Sequence, residues 1–179
     1  MHIEPLSPGE IVDPALRSLI DRGAALGTPD GVLPRILARS PEHAKALLNA
    51  LVVSHAEGGV DHRLKEIIRI RLARAAGDPY FASLRSNRAR EAGLDEATIA
   101  AGAGAFESDA RFSAAEKWAL RYARDLYLAP EKVDAAFYAE GKTHFSEAQI
   151  MELGAFIAFH YGMQVFARTL RLMPARHDE

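Results

Sequence analysis
Apolar residues return every three or four positions along most of this chain, and no stretch alternates in the manner of a strand. Leu16, Leu19, Ile20 and Ala24 form the first stripe. It follows Asp13-Pro14, where Asp suits a helix cap and Pro the first helical turn. Gly27-Thr28-Pro29-Asp30-Gly31 ends that helix in a loop. A second stripe, Ala44, Leu47, Leu48, Leu51 and Val52, starts behind Ser40-Pro41-Glu42 and runs to about His55, before Gly58-Gly59. A third helix opens at Asp61, carries Ile67, Ile68, Ile70 and Leu72, and reaches about Ala75. A fourth is expected from Asp78-Pro79 to near Gly93, and a short fifth from Asp95 into Ala101-Gly102-Ala103-Gly104. Ser113 with Glu116 and Ser146 with Gln149 are capping boxes. The first opens a helix with Trp118, Tyr122 and Leu126 on one side; the second opens the longest and most apolar helix, to about Leu172. A short helix over Pro130 to Glu140 lies between them. The pattern predicts an all-α bundle of about eight helices, with an irregular arm over 1–12, one helical domain over 13–173 and a polar tail over 174–179.

Composition narrows the chemistry. At 179 residues and 49% apolar, the chain can bury one ordinary core. It contains no cysteine, which removes disulfides, thiolate metal ligands and thiol nucleophiles. The formal charge is −2 with both signs interspersed, so no basic face marks a nucleic-acid partner. The opening MHIEPLSPGEIVDP lacks the basic and apolar regions of a signal peptide. The longest apolar run, Leu153 to Phe159, falls far short of a membrane span. A cytoplasmic protein without nucleic-acid or membrane partners is expected.

Six residues are candidates for chemistry. Glu66 sits among Ile67, Ile68 and Ile70. It is either an exposed helical Glu paired with Arg63 or Arg69, or a partly buried carboxylate of raised pKa able to move protons. Asp78 before Pro79 reads as a helix cap, with a pocket carboxylate as the other reading. Phe81 and Arg85, three and seven residues on, would share one helical stripe with Asp78. Phe81 would then be an apolar wall. An inward Arg85 would need an anion, either Glu66 or Asp78 in a structural pair or a substrate carboxylate held bidentately. Tyr80 is a core tyrosine with its hydroxyl at the surface, or a proton donor. Glu152, Phe156, His160 and Gln164 recur every four residues, so His160 is a satisfied core histidine or a pocket acid/base. His55 and His144 read as surface or capping histidines. No H-x-x-x-H or H-E-x-x-H pair, no glycine-rich nucleotide loop and no nucleophile elbow occurs, so neither a metal nor a cofactor is expected.

The segment from Glu66 to Leu94 resembles the core of the carboxymuconolactone decarboxylase and alkylhydroperoxidase D (AhpD-like) superfamily. That pattern is a helical Glu, then C-x-x-C-x-x-x-H, then A-x-x-x-G-L. Glu66 matches the Glu, Asp78 and Phe81 fall on the two Cys positions, Arg85 falls on the His position, and Ala89, Gly93 and Leu94 keep the close. The resemblance spans roughly Pro34 to Leu172 and implies an AhpD-like helical fold with an internal duplication. Glu66 in KEIIRIRLA and Glu152 in MELGAFIAF are the corresponding positions of a degenerate repeat. It further implies a homo-oligomer, a trimer or hexamer, and a small-molecule substrate. Without a thiol the peroxidase branch is closed. The resemblance then implies a cofactor-free lyase or isomerase moving protons on a small carboxylate- or lactone-bearing substrate. Glu66 would be the acid/base, His160 or Tyr80 its helper, and Arg85, with Asp78 and Phe81, would bind substrate. The alternative is a non-catalytic oligomeric relative that binds a ligand or protein.

Overall fold
The computed structural model describes residues 1–173, and the expected tail over 174–179 lies outside them. Ten helices and two short 3-10 turns make up the described chain, and no strand occurs among the described residues. The helices are α1 (Pro14–Leu26), α2 (Val32–Leu37), α3 (Pro41–Ala56), α4 (His62–Ala76), α5 (Pro79–Ser83), α6 (Asn87–Glu91), α7 (Glu96–Ala103), α8 (Ala114–Leu128), α9 (Ala135–Gly141) and α10 (Glu147–Thr169).

Most expected starts are capped as their residues suggest; the cap expected at Ser40 is not made, because its hydroxyl bonds the His43 ring at 2.9 Å instead. Asp13, Asp61, Asp78, Asp95, Ser113 and Ser146 each accept backbone N–H groups of the following turn. Gly27 and Gly77 close α1 and α4 with left-handed backbone at φ 75° and 63°. Helix α2 lies in a stretch without amphipathic spacing, and its burial comes from Leu33 and Ile36 packing with Tyr80, Phe81 and Leu170. The segment after Pro130 is a 3-10 turn followed by α9, which Asp134 caps. The arm is tied down: Leu6 N–H donates to the Arg35 carbonyl at 3.1 Å and Ile11 is buried.

Helix α4 is the axis of the fold, packed against α3, α5, α7, α8 and α10. Its apolar residues Leu64, Ile67, Ile68 and Ile70 point in all directions, so the helix is enclosed on every side from Leu64 to Ile70. Its charged residues Lys65, Glu66 and Arg69 are consequently buried as well. Charges in such a place must be paired and hydrogen-bonded. Helix α10 is long and apolar enough to cross a membrane by length and composition alone. Here it lays Leu153, Phe156, Ile157 and His160 inward and packs most extensively on α4.

The expected single helix over Asp78 to Gly93 is instead broken into α5 and α6, with Leu84 extended at ψ 149°. The cause is the Glu66–Arg69 pair. Arg69 donates to the carbonyls of Phe81 (2.6 Å) and Leu84 (2.7 Å), and the Ser86 N–H donates to Glu66 (2.8 Å). Groups that would close successive helical turns are satisfied by a buried ion pair, and Ser86 caps a new helix.

Candidate functional site
A polar cluster lies where α3, α4 and α10 meet, built from His55, His62, Lys65, Glu66, Arg69 and His160, all 7% exposed or less. Glu66 is fully used. Its Oε1 accepts from Arg69 and from the Ser86 N–H, both at 2.8 Å, and its Oε2 accepts Arg69 Nε at 2.8 Å. His55 Nε2 approaches Oε2 to 3.1 Å, at an angle poorly directed for a hydrogen bond. Burial opposes ionisation of Glu66, but the Arg69 charge, its hydrogen bonds and His55 outweigh it and hold the carboxyl well below its ordinary range. The expectation of a raised pKa is thus corrected: Glu66 is a locked carboxylate, paired with Arg69 three residues on.

The imidazoles stack rather than converge. His55 lies 4.5 Å from His62 and 6.0 Å from His160, ring centre to ring centre, and His160 packs on Phe156 at 4.1 Å. Among the described residues no three His, Asp or Glu side chains gather in an arrangement that could hold a metal ion. His62 Nδ1 donates to the His55 carbonyl at 2.9 Å, because a carbonyl can only accept. Its Nε2 is therefore bare and accepts the Ser86 hydroxyl at 2.7 Å. Burial lowers the pKa of His55 to about 4, with the Arg69 charge adding to it against the pull of Glu66. Burial, then the His55 and Arg69 charges, pushes His160 well below 6.5. All three rings are neutral near pH 7.

Of the three rings, His160 lies buried behind a hydroxyl that lines a groove. Its Nε2 lies 3.1 Å from Ser54 Oγ, while its Nδ1 has no protein partner. Ser54 lines a groove of about 570 Å³ between α3 and α10, with Asn49, Val53, Phe156 and Phe159 along its walls. At one end Glu152 accepts the Gly59 N–H (2.8 Å) and the Val60 N–H (3.3 Å) and pairs with buried Lys65. A Cβ at Gly58 would overlap that carboxylate, and Gly58 has φ 104°, so the turn requires glycine. Glu66 and Glu152, the proposed repeat positions, thus do parallel work, each joining an α4 cation to backbone N–H groups.

The other candidates lie elsewhere. Asp78 caps α5, accepting from Tyr80 N (3.1 Å) and Phe81 N (3.4 Å), and burial raises its pKa. Phe81 packs in the α2–α5 core and touches the cluster only through its carbonyl. Tyr80 is wholly buried, and its hydroxyl donates to Asp30 rather than reaching the surface. Burial and Asp30 raise its pKa well above 10. Arg85 does not share a stripe with Asp78 and pairs with neither Asp78 nor Glu66. It forks onto Glu96 at 2.7 and 2.9 Å, because the chain turns at Leu84.

The surface or capping reading of His55 is corrected: it is 1% exposed and continues the stripe of Ala44, Leu48, Leu51 and Val52 on α3. The position before two glycines suggests a surface end, but the helical register decides. Lys65 was signalled by the all-round apolarity of α4.

Comparison with known proteins agrees with this architecture. No curated protein matches the sequence. Residues 41–125 match the carboxymuconolactone decarboxylase family. Among solved structures, the apo debrominase Bmp8 superposes with a TM-score of 0.76 at 22% identity, covering 97% of this chain and 92% of its own. A cysteine-to-alanine variant of that debrominase, in complex with 2,3,4-tribromopyrrole, gives 0.77 at 23% identity, covering 96% of this chain and 90% of its own. The alkylhydroperoxidase AhpD core of an uncharacterized peroxidase-related protein from Ralstonia eutropha JMP134 gives 0.76 at 16% identity, covering 96% of this chain and 91% of its own. The chain thus matches the carboxymuconolactone decarboxylase family model over α3 to α8 and carries an AhpD-like fold from end to end, and it contains no cysteine.

Proposed function
We propose that this protein is a cofactor-free lyase- or isomerase-type enzyme that moves a proton on a small substrate held in the α3–α10 groove. The base is His160 in place of Glu66. The observation that carries this reading is the 3.1 Å contact between His160 Nε2 and Ser54 Oγ, a hydroxyl facing a largely apolar groove. A neutral imidazole behind a hydroxyl can take a proton through it, and the disfavoured imidazolium returns that proton readily. Glu66 serves as a fixed charge that holds the cluster together.

Of the two substrate types implied by the family, the groove favours the lactone. Arg85 is engaged by Glu96, and Lys65 is held by Glu152, so among the described residues no cation lines the groove for a carboxylate. A small ring bound by a debrominase of this fold supports a ligand of that size. The homo-oligomer implied by the family is part of the proposal. Met151, Ala155, Ala158, Gly162, Val165 and Phe166 form an exposed small and apolar seam along α10, with Phe166 42% exposed.

A second reading, a non-catalytic binding relative, is favoured by the saturation of Glu66, whose oxygens are all engaged. The two separate in one experiment. The chain is incubated in D2O with five-membered unsaturated lactones and their ring-opened acids, and proton NMR follows deuterium uptake. Uptake by wild type that disappears in a folded His160→Gln variant and drops in Ser54→Ala supports the enzyme. Ligand-induced stabilisation without uptake supports the binding protein.

A further inference from the structure
A second cleft lies on the opposite side of α10. At 100° per residue, Tyr161 stands roughly half a turn from the groove-facing residues Glu152, Phe156 and Phe159. The cleft has a volume of about 270 Å³ and is lined by Arg71, Arg74, Arg124, Tyr127 and Tyr161 around Leu72. Nothing in the chemistry proposed for the groove uses it.

Its charge is unbalanced. The guanidinium of Arg71 lies 4.7 Å from the Phe106 ring, and that of Arg124 lies 5.9 Å from the same ring. Arg124 is answered by Asp125 at 2.6 and 2.9 Å and by Glu107 at 2.7 Å. Arg71 meets only the carbonyls of Gly102 (3.0 Å) and Gly104 (3.2 Å). Among the described residues neither Arg71 nor Arg74 forms an ion pair. A partly buried guanidinium beside a second one, with no carboxylate of its own, is costly unless an anion joins it. Burial and then the neighbouring Arg124 depress the Arg71 pKa, against a smaller pull from Asp125 and Glu107, which are bonded to Arg124. Arg71 and Arg74 are three residues apart, so they share one face of α4.

The wall of the cleft is aromatic. Tyr127 and Tyr161 stack with centres 4.2 Å apart and planes 26° from parallel. The Tyr127 hydroxyl donates to the Ala158 carbonyl at 3.0 Å, which fixes the pair. Cations beside a flat aromatic surface select a planar anion. The volume lies just below the roughly 300–1,000 Å³ of drug-sized sites, which limits the ligand to about one ring.

We propose that this cleft binds a small planar organic anion, a single-ring aromatic carboxylate, with its carboxylate on Arg71 and Arg74 and its ring against Tyr127 and Tyr161. The test is titration calorimetry on the full chain with benzoate as probe and benzyl alcohol as its uncharged counterpart. Arg74 is exposed, so Arg74→Gln keeps the fold; Arg71→Lys keeps the charge but loses the planar fork. Benzoate is expected to bind wild type and to bind each variant about tenfold more weakly or worse, and benzyl alcohol to give no binding heat. The inference is overturned if benzoate does not bind, if it binds Arg74→Gln as tightly as wild type, or if benzyl alcohol binds equally well.

Discussion

Glu66→Gln discriminates between two charge states of the buried cluster by the sign of its effect. The substitution keeps side-chain volume and one oxygen, which still accepts the Ser86 N–H. It removes the carboxylate opposite Arg69, whose side chain is 1% exposed. Arg69 retains the Phe81 and Leu84 carbonyls, but Nε and one terminal nitrogen lose their carboxylate fork. Removing one partner of a buried ion pair costs about 3–5 kcal/mol. That is a large share of the roughly 5–15 kcal/mol by which a domain is stable. With a urea slope of about 2 kcal/mol per molar, the unfolding midpoint should fall by roughly 2 M while the slope stays unchanged. The assay is urea unfolding followed by far-UV circular dichroism at pH 7. If burial instead kept Glu66 protonated, the neutral amide would mimic the native state. The midpoint would then hold or rise, and that result would refute the locked carboxylate and restore Glu66 as a proton carrier.

Three further outcomes follow from the same geometry. The unfolded chain protonates His55 near pH 6.5 and the folded chain near 4, so as pH falls the unfolded state takes up the proton first. Stability should be intact above about 6.5 and fall through the window down to 4, by about 1.4 kcal/mol per unit for each such histidine. His62 and His160 shift in the same direction and steepen the loss. Glu66, lowered on folding, adds its own loss below 4.5; a flat urea midpoint between pH 7 and 4 would contradict this. Arg85→Ala breaks a pair whose Glu96 side chain is 70% exposed, so it should cost no more than about 1 kcal/mol and leave lactone binding unchanged. Weakened binding measured by calorimetry would return Arg85 to the site. Gly162→Asp places a charge in the α10 seam where a Cβ meets nothing within 4 Å, so the monomer tolerates it. Light scattering behind size-exclusion chromatography should show an oligomer for wild type, as proposed, and a smaller mass for the variant; an unchanged mass would refute this seam as the interface.

Local chemistry was largely readable from the chain. Helix starts depend on residues a few positions apart, and the side chains of Asp13, Asp61, Asp78, Asp95, Ser113 and Ser146 cap their own next turn whatever surrounds them. The all-helical class and the family pattern around Glu66 and Gly93 were legible for the same reason, since both rest on short spacings.

Tertiary structure decided which charges are buried and what they meet. Periodicity gives a face, but not the element that covers it. Helix α4 is covered all round from Leu64 to Ile70, and only then must Glu66 pair with Arg69 on the same helix and Lys65 with Glu152 on α10, far away in the chain. That pairing in turn takes the backbone groups of Phe81, Leu84 and Ser86 and breaks a segment whose own sequence is compatible with one helix. The break turns Arg85 to Glu96, and the packing of α10 on α3 sets His160 against Ser54, 106 residues away, whose hydroxyl lines the groove. A buried charge must find its partner before a local backbone preference is met, because leaving it unpaired costs several kcal/mol while one helical hydrogen bond contributes about 1 kcal/mol.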